Sequence, residues 1–455
     1  MGMDETGSTS SFKTLKLFGG QSCAEGEDRI SSLPDEILHL IFSFMPTVDA
    51  VRSCVLSTRW KYLWTSIPYL DFSNRKRTPK DSFLNFVDRV LSGHDASEIQ
   101  KFCLQYEGVY NVTRINEWIS TVMRHKLQEL DLDIRGEESF TFRHCLSHFE
   151  SLTILKVKFK SVLPIPASFL SSSLRIVRFV DVCFSSDQLG QQVSFNLPVV
   201  EEFLLSSCFW PKIRIVKIYA PSLKKLVLVD WDYDGDPNFE TEIKVEAKSL
   251  SRLSFVNDLA YDYSLSIPSV AFASVHVGIV VHPDNCRLLK FLANIYTVKA
   301  LRLGSDTIQT LSRADIFADL QMFSNLTKLE VLVNGQGGFS GKKLLILLAC
   351  MPNVESLDIV DDLQILDDAY FPGWTHEKVS ECFLSHLKSV KLERFVGSEN
   401  VLCLLGFLLK NAGSLEKMTV ISSSKLSTYP KKQMEVSKQL LMLPRDSKCC
   451  VIDFS

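Results

Sequence analysis

An apolar residue, two others, an apolar residue, one other and a third apolar residue recur along most of this chain. The triplets run Ile99-Phe102-Leu104, Leu127-Leu130-Leu132, Leu152-Leu155-Val157, Leu174-Val177-Phe179, Val200-Phe203-Leu205 and Leu223-Leu226-Leu228. They continue as Leu250-Leu253-Phe255, Val270-Ala273-Val275, Val298-Leu301-Leu303, Leu326-Leu329-Val331, Val354-Leu357-Ile359, Leu387-Val390-Leu392 and Leu415-Met418-Val420. Successive starts lie about 20 to 33 residues apart. One such unit cannot bury its own apolar face, so neighbours must stack. No other feature restricts the fold as much.

The pattern is that of a leucine-rich-repeat strand. It predicts an α/β solenoid in which each unit gives one short strand to a parallel sheet and returns by a helix or a loop, with the strands lining the concave face. Helical spacing predicts returns at Ile115 to His125, Leu288 to Ala293, Lys342 to Met351 and Val401 to Asn411. Proline-bounded loops are expected at Leu163 to Ala167, Asn196 to Pro198 and Ala220-Pro221. The uneven period makes the array irregular.

A different pattern precedes the repeats. Pro34 suits a first helical turn, and Asp35 and Glu36 favour a helix N-terminus. Ile37, Ile41 and Phe44 form one apolar row, and Leu38, Phe42 and Met45 form the next, before Pro46 stops the helix. A second helix near Thr47 carries Val51, Cys54 and Val55, and a third after Ser57 carries Trp60, Leu63 and Trp64. A trio of about this size makes too small a core to bury so much apolar surface alone. It either forms an interface or packs onto the rest of the chain.

The residues favour the first. Leu33-Pro34-Asp35-Glu36-Ile37-Leu38, then Cys54-Val55-Leu56-Ser57-Thr58-Arg59-Trp60-Lys61-Tyr62-Leu63-Trp64, then Pro68-Tyr69-Leu70-Asp71-Phe72 closely resemble the F-box of plant F-box proteins with leucine-rich repeats. That resemblance implies docking on the Skp adaptor of an SCF (Skp–cullin–F-box) ubiquitin ligase and, through it, on a cullin. Leu33, Pro34, Ile37, Leu38 and Ile41 fall on the family's adaptor-facing positions. Val51, Val55, Leu56, Trp60, Leu63 and Trp64 fall on positions that face the adaptor or hold the helices together. Thr58 stands where Lys is usual and Tyr62 where a small or polar residue is usual; both are expected to be exposed.

The C-terminal segment also resembles a known unit. His386 to Leu392, then Phe395-Val396-Gly397, Leu408 to Met418, Leu443-Pro444-Arg445 and Cys450 to Phe454 resemble the FBD domain of the same plant proteins. It reads strand, helix, strand, helix, strand, with Asn411-Ala412-Gly413 suited to a helix C-cap, and it should close the open end of the solenoid. The expected domains are therefore a disordered tail at 1–26, an F-box at 27–73, a linker and helix at 74–98, repeats at 99–375 and an FBD domain at 376–455.

Of 455 residues, 46% are hydrophobic and 23% charged, with a net charge of −3. That is no basic footprint for nucleic acid and no polybasic membrane patch. No apolar run reaches the roughly 20 residues a bilayer requires. The first residues are polar, without a signal-peptide core. The twelve cysteines show no CxxC spacing, so most are expected to be buried thiols in a reducing compartment, nucleus or cytoplasm.

Several motifs invite chemistry and fail on inspection. Asp230-Trp231-Asp232-Tyr233-Asp234-Gly235 resembles the start of a calcium loop, but its twelfth position is Thr241, where Glu is needed. Gly335 to Lys343 lacks the glycine and the hydroxyl of a phosphate loop, with Gln336 and Lys343 in those places. His144 and His148 have helical ligand spacing but no third ligand. Asn111 and Asn325 head glycosylation sequons that the expected compartment leaves unused. The reading is thus a non-catalytic receptor subunit with no cofactor and no metal, holding a target protein on its repeats. The alternatives are a receptor gated by a small molecule in the solenoid, an enzyme fused to an F-box, and a repeat scaffold outside any ligase.

Overall fold

The computed structural model describes residues 30, 32–73, 80–95, 98–108, 111–136, 140–141, 151–164, 168–185, 192–230, 241–257, 261–278, 286–313, 320–333, 341–360 and 384–455. Helices α1 (Asp35–Phe42), α2 (Thr47–Arg52) and α3 (Trp60–Leu63) come first, with single 3-10 turns at Ser53–Val55 and Trp64–Ser66. Then follow β1 (Tyr69–Ser73), α4 (Lys80–Gly93), β2 (Lys101–Glu107), α5 (Val112–Met123), β3 (Glu129–Arg135), β4 (Phe140–Thr141) and β5 (Ile154–Pro164). In the middle, among the described residues, the elements are strands: β6 (Ser168–Leu170), β7 (Ile176–Ser185), β8 (Gln192–Asn196), β9 (Glu202–Ser206), β10 (Ile215–Tyr219), β11 (Lys225–Asp230), β12 (Glu242–Glu246), β13 (Arg252–Asn257), β14 (Asp262–Ser266) and β15 (Phe272–Val277). Helices return with α6 (Cys286–Ala293), β16 (Ala300–Gly304), α7 (Ser305–Arg313), β17 (Lys328–Leu332), α8 (Gly341–Ala349) and β18 (Ser356–Val360). The chain closes with β19 (Ser389–Phe395), α9 (Glu399–Asn411), β20 (Lys417–Ser422), α10 (Ser424–Ser427), α11 (Pro430–Met442) and β21 (Val451–Phe454).

The main sheet has 16 strands, from β1 at one edge to β21 at the other, with β4 beside β5. Its pairs are parallel and follow chain order. Every member of every triplet is buried. The side-chain alternation of a strand explains this: triplet residues two apart point to the same face, and that face is covered.

What covers it changes along the array. Toward both ends α5, α6, α8 and α9 form returns, as their spacing predicts; α7 is an additional one. In the middle the chain turns at Leu197-Pro198 and Ala220-Pro221 as expected, residues 165–167 lie outside the described residues, and the returns leading into the turns are more than loops. They are strands, and β14, β12, β10, β8 and β6 form a second parallel sheet of five. Val193 and Phe195, Val216 and Ile218, and Ile243 and Val245 point inward from it. At the corners, Ala220 N–H donates to the Glu246 carbonyl at 2.9 Å and Leu223 N–H closes back on Ala220 at 3.1 Å. The ladder therefore runs on through the Ala-Pro turn, and one bond closes the turn. Beneath the main sheet lies an aromatic core: Phe184 stacks on Trp210 at 4.3 Å, and Phe255 lies 4.0 Å from Phe291 of α6 and 5.0 Å from Tyr263 of β14.

The ladder also starts earlier than residue 99. β1, inside the stretch assigned to the N-terminal module, pairs with β2 in register Tyr69–Lys101. Thr47 Oγ1 accepts from Asp71 N–H at 2.7 Å, joining α2 to that strand. The C-terminal segment has the strand and helix order expected of it, with α10 and α11 together at its second helical position. Gly413 is not there for its backbone freedom, since only Gly108 and Gly397 have positive φ among the described glycines. Ala412 is the C-cap of α9, and a Cβ on Gly413 would sit 2.8 Å from Asp446 Oδ2.

Candidate functional site

The two apolar rows separate along α1 and the turn after it; the helix ends at Phe42, so Phe44 and Met45 lie in that turn. Leu38 and Phe42 are buried and Met45 packs half-buried against the core. Ile37, Ile41 and Phe44 are exposed, Phe44 by 82%, and Leu40 is exposed beside them. Ile30, Val55, Leu56 and Tyr62 add to the exposed apolar side chains of the same module. A cluster of exposed large apolar groups on one small module is the signature of a protein-docking surface.

The inner row is held by specific contacts. Phe42 meets Trp60 edge-on at 5.4 Å. Arg59 Nη2 donates to the Leu33 carbonyl at 2.6 Å and to the Asp35 carboxylate, tying α3 to the start of α1. The Trp64 ring packs against the end of α4, where a Cβ on Gly93 would lie 3.1 Å away. His94 sits near that junction and bonds the Ile67 carbonyl at 2.8 Å through Nε2, and burial pushes its pKa below 6.5.

The residues singled out from sequence therefore divide into three groups. Pro34, Ile37, Ile41, Val55 and Leu56 are exposed. Leu33, Val51 and Trp64 are half-buried against the core. Leu38, Trp60 and Leu63 are buried within the chain, so in this arrangement they support the face and do not form it. Thr58 and Tyr62 are exposed, as expected. Ile30, Leu40 and Phe44 join the exposed set without having been singled out. Phe44 was legible, since it continues the Ile37–Ile41 row by one more turn.

A second surface is the open face of the main sheet, formed by the residues between the triplet members. In the middle it carries an apolar set beside charged residues: Val180, Leu204, Val227, Val229 and Val256 are half-exposed, with Leu204 beside Val227 and Val229 beside Val256 in register, and Glu202 pairs with Arg178 and Lys225 on the same strands. Ion pairs flank this strip. Toward the N-terminus Lys156 Nζ reaches Glu129 at 2.7 Å and Asp131 at 3.3 Å. Burial raises the Glu129 carboxyl, but Lys156 and Lys101 outweigh it and hold it below its ordinary value. Burial raises Asp131, Lys156 only partly offsets this, and Asp131 stays high. Cys103 nearby is pushed up to about 12 by burial and by Asp71 and Asp131, leaving an inert thiol. Toward the C-terminus Lys328 Nζ bridges Glu330 and Asp358, each at 2.9 Å. Partly exposed pairs of this kind add little stability.

Of the motifs with possible chemistry, His144, His148, residues 231–240 and residues 334–340 lie outside the described residues. Thr241 is buried, and its hydroxyl donates to the Ile213 carbonyl at 2.7 Å. Gly341 and its two lysines begin α8. Asn111 caps α5, accepting from Thr113 N–H and Arg114 N–H at 2.9 and 3.3 Å. Among the described residues no group of three or more His, Cys, Asp or Glu is placed to hold a metal, and no helix is long and apolar enough to cross a membrane.

Family models match at both ends of this architecture: F-box domain at residues 30–71 and FBD at residues 376–420. The chain carries an F-box and an FBD and is similar along most of its length to plant F-box/FBD/leucine-rich-repeat proteins. An FBD-associated F-box protein of Arabidopsis thaliana is 25% identical over 94% of each chain. An F-box/FBD/LRR-repeat protein of the same plant is 26% identical over 93% of this chain and 98% of its own length. F-box/LRR-repeat protein 13, also from Arabidopsis thaliana, is 27% identical over 93% of this chain and 96% of its own. The exposed α1 row thus lies inside the F-box match. The FBD match ends at β20, while α11 and β21 continue the fold beyond it.

Proposed function

We propose that this F-box protein is the substrate-recognition subunit of an SCF ubiquitin ligase. The exposed F-box row docks on the Skp adaptor, which carries the cullin. The repeats hold a target protein on the open face of the main sheet. The observation that supports this reading is the split of α1, whose inner row completes a core while Ile37, Ile41 and Phe44 stay outside. In this reading the adaptor-facing set is Leu33, Pro34, Ile37, Ile41, Phe44, Val55 and Leu56. Leu38, Trp60 and Leu63 keep that set in place.

The bond-forming step, attack of a target lysine on a ubiquitin thioester, belongs to other subunits. This chain contributes proximity. Holding the target beside the charged enzyme turns a bimolecular encounter into an effectively intramolecular one. The apolar strip from Val180 to Val256 is the part of the open face that grips the target. The complex works in the nucleus, the cytoplasm or both.

The test is capture by purified Skp adaptor, with wild type against Ile41→Asp/Phe44→Asp. Wild type is retained and the variant is lost, while both melt at the same temperature. A folded wild type that is not captured removes the ligase reading. A variant that is still captured removes the site assignment.

A further inference from the structure

A second group of exposed apolar side chains lies at the opposite end of the molecule, outside the F-box and outside the strip. On α11, Met434 is 58% exposed, Leu441 52% and Met442 81%. The helix is not loosely attached. Val436 and Leu440 are buried beneath it. Gly397, at φ +83°, lies where a Cβ would meet Val436 Cγ2 at 3.1 Å, and Gly406 meets Leu443 in the same way at 3.3 Å. Arg445 closes the end of the helix by donating to the carbonyls of Leu441 and Cys450 at 3.2 and 3.3 Å. One face is locked down, so the other is a permanent feature of the surface.

That outer face has a pattern. Met434 and Leu441 stand seven apart, two helical turns, and form an apolar row with Met442 beside it. Lys431 and Lys438 repeat the same interval alongside. From Ser424 to Lys448 the cations Lys425, Lys431, Lys432, Lys438, Arg445 and Lys448 face only Glu435 and Asp446 as acids, +6 − 2 = +4, in a chain whose total is −3. All six basic side chains are exposed. An apolar row bordered by one sign of charge at heptad spacing selects a partner helix with apolar residues and the opposite charge.

We propose that the outer face of α11 is a docking site for an acidic amphipathic helix of a partner protein. Met434, Leu441 and Met442 form the apolar seam, and Lys431 and Lys438 pair with its carboxylates. The unbranched methionines suit a surface that must adapt to such a seam. A second copy of this chain fits poorly, because it would bring the same basic row against itself. An anionic lipid surface fits less well, because Glu435 lies on the exposed side and the row is only two turns long. The site is separate from the F-box and does not depend on the ligase reading.

The test uses the full chain and a fluorescent synthetic helix of Leu and Glu heptads, with a Lys-for-Glu counterpart as control. Anisotropy should show at least a ten-fold preference for the acidic peptide, weakening as salt rises. Lys431→Glu/Lys438→Glu and Met434→Ser/Leu441→Ser should each reduce binding ten-fold or more without changing the melting temperature, whereas Phe44→Asp should leave it unchanged. Equal affinity for the two peptides, or variants that bind like wild type, overturns the proposal. So does binding of phosphatidylserine vesicles in place of the peptide, which would make the face a membrane contact. Sedimentation as a dimer that Leu441→Ser dissociates would assign the face to a second copy and overturn it as well.

Discussion

The F-box and the repeats use similar residues in opposite ways. In the repeats an apolar side chain at a triplet position is always buried, because the unit above and the unit below supply its neighbours. In the F-box, Phe42 and Phe44 lie two residues apart, and one is 1% exposed while the other is 82% exposed. The difference is one of closure. A stack of units completes its own core, whereas three short helices with one supporting strand cover only one side of α1. In the proposed reading the apolar surface left over serves for docking, and the repeats are the frame that carries it.

The comparison can be broken first at Phe255. Its buried ring lies against Tyr263 of β14 and Phe291 of α6, so Phe255→Ala should cost about 3–5 kcal/mol, read as a fall in the denaturant midpoint. Adaptor capture should persist wherever the chain remains folded. A loss of capture before any unfolding would show that the two regions are coupled. The next test stays within α1. Phe42→Ala removes the edge-on contact with Trp60 and should lower stability by about 3 kcal/mol and capture as well. Phe44→Ala should change stability by no more than about 0.5 kcal/mol while reducing capture about ten-fold. Equal effects on stability would erase the distinction between the rows.

The smallest expected effect is of pH. His94 at the F-box junction and His276 on β15 are both held below 6.5, each by burial and His276 also by Arg302. The unfolded chain takes up these protons near 6.5 and the folded chain resists them. Their contribution is therefore complete above that pH and declines as pH falls toward the folded values. The melting temperature should drop modestly from pH 7 to pH 5.5, and His276→Gln should remove part of that slope. Glu129 and Glu330, both lowered from 4.5 by their cationic neighbours against the effect of burial, act with the same sign only below that value. A melting temperature that rises toward pH 5.5 would contradict the assignment.

Much of this was legible beforehand where the signal is local. The triplets located the strands of the array, and the spacing of Ile115 to His125 or Val401 to Asn411 located helical returns, because strand and helix periods are properties of neighbouring residues. The second sheet was missed. Its strands alternate apolar residues, as in Val216 and Ile218, but they are short and end in Pro or Ala corners that resemble ordinary loops. Only pairing between successive units distinguishes them. Asn411-Ala412-Gly413 was expected at a helix C-cap; Ala412 takes the cap position, and Gly413, without a positive φ, lies beside the Asp446 side chain.

The candidate site divides in the same way. Sequence alone determined that α1 carries two apolar rows, since Ile37, Ile41 and Phe44 and then Leu38, Phe42 and Met45 follow from helical geometry. Both rows are about equally apolar, so nothing in the helix says which faces inward. The tertiary structure decided it. Trp60 arrives edge-on against Phe42, Arg59 joins Leu33 and Asp35, and β1 anchors α2 through Thr47. Those contacts come from chain beyond α1 in sequence, and they bury one row and leave the other exposed.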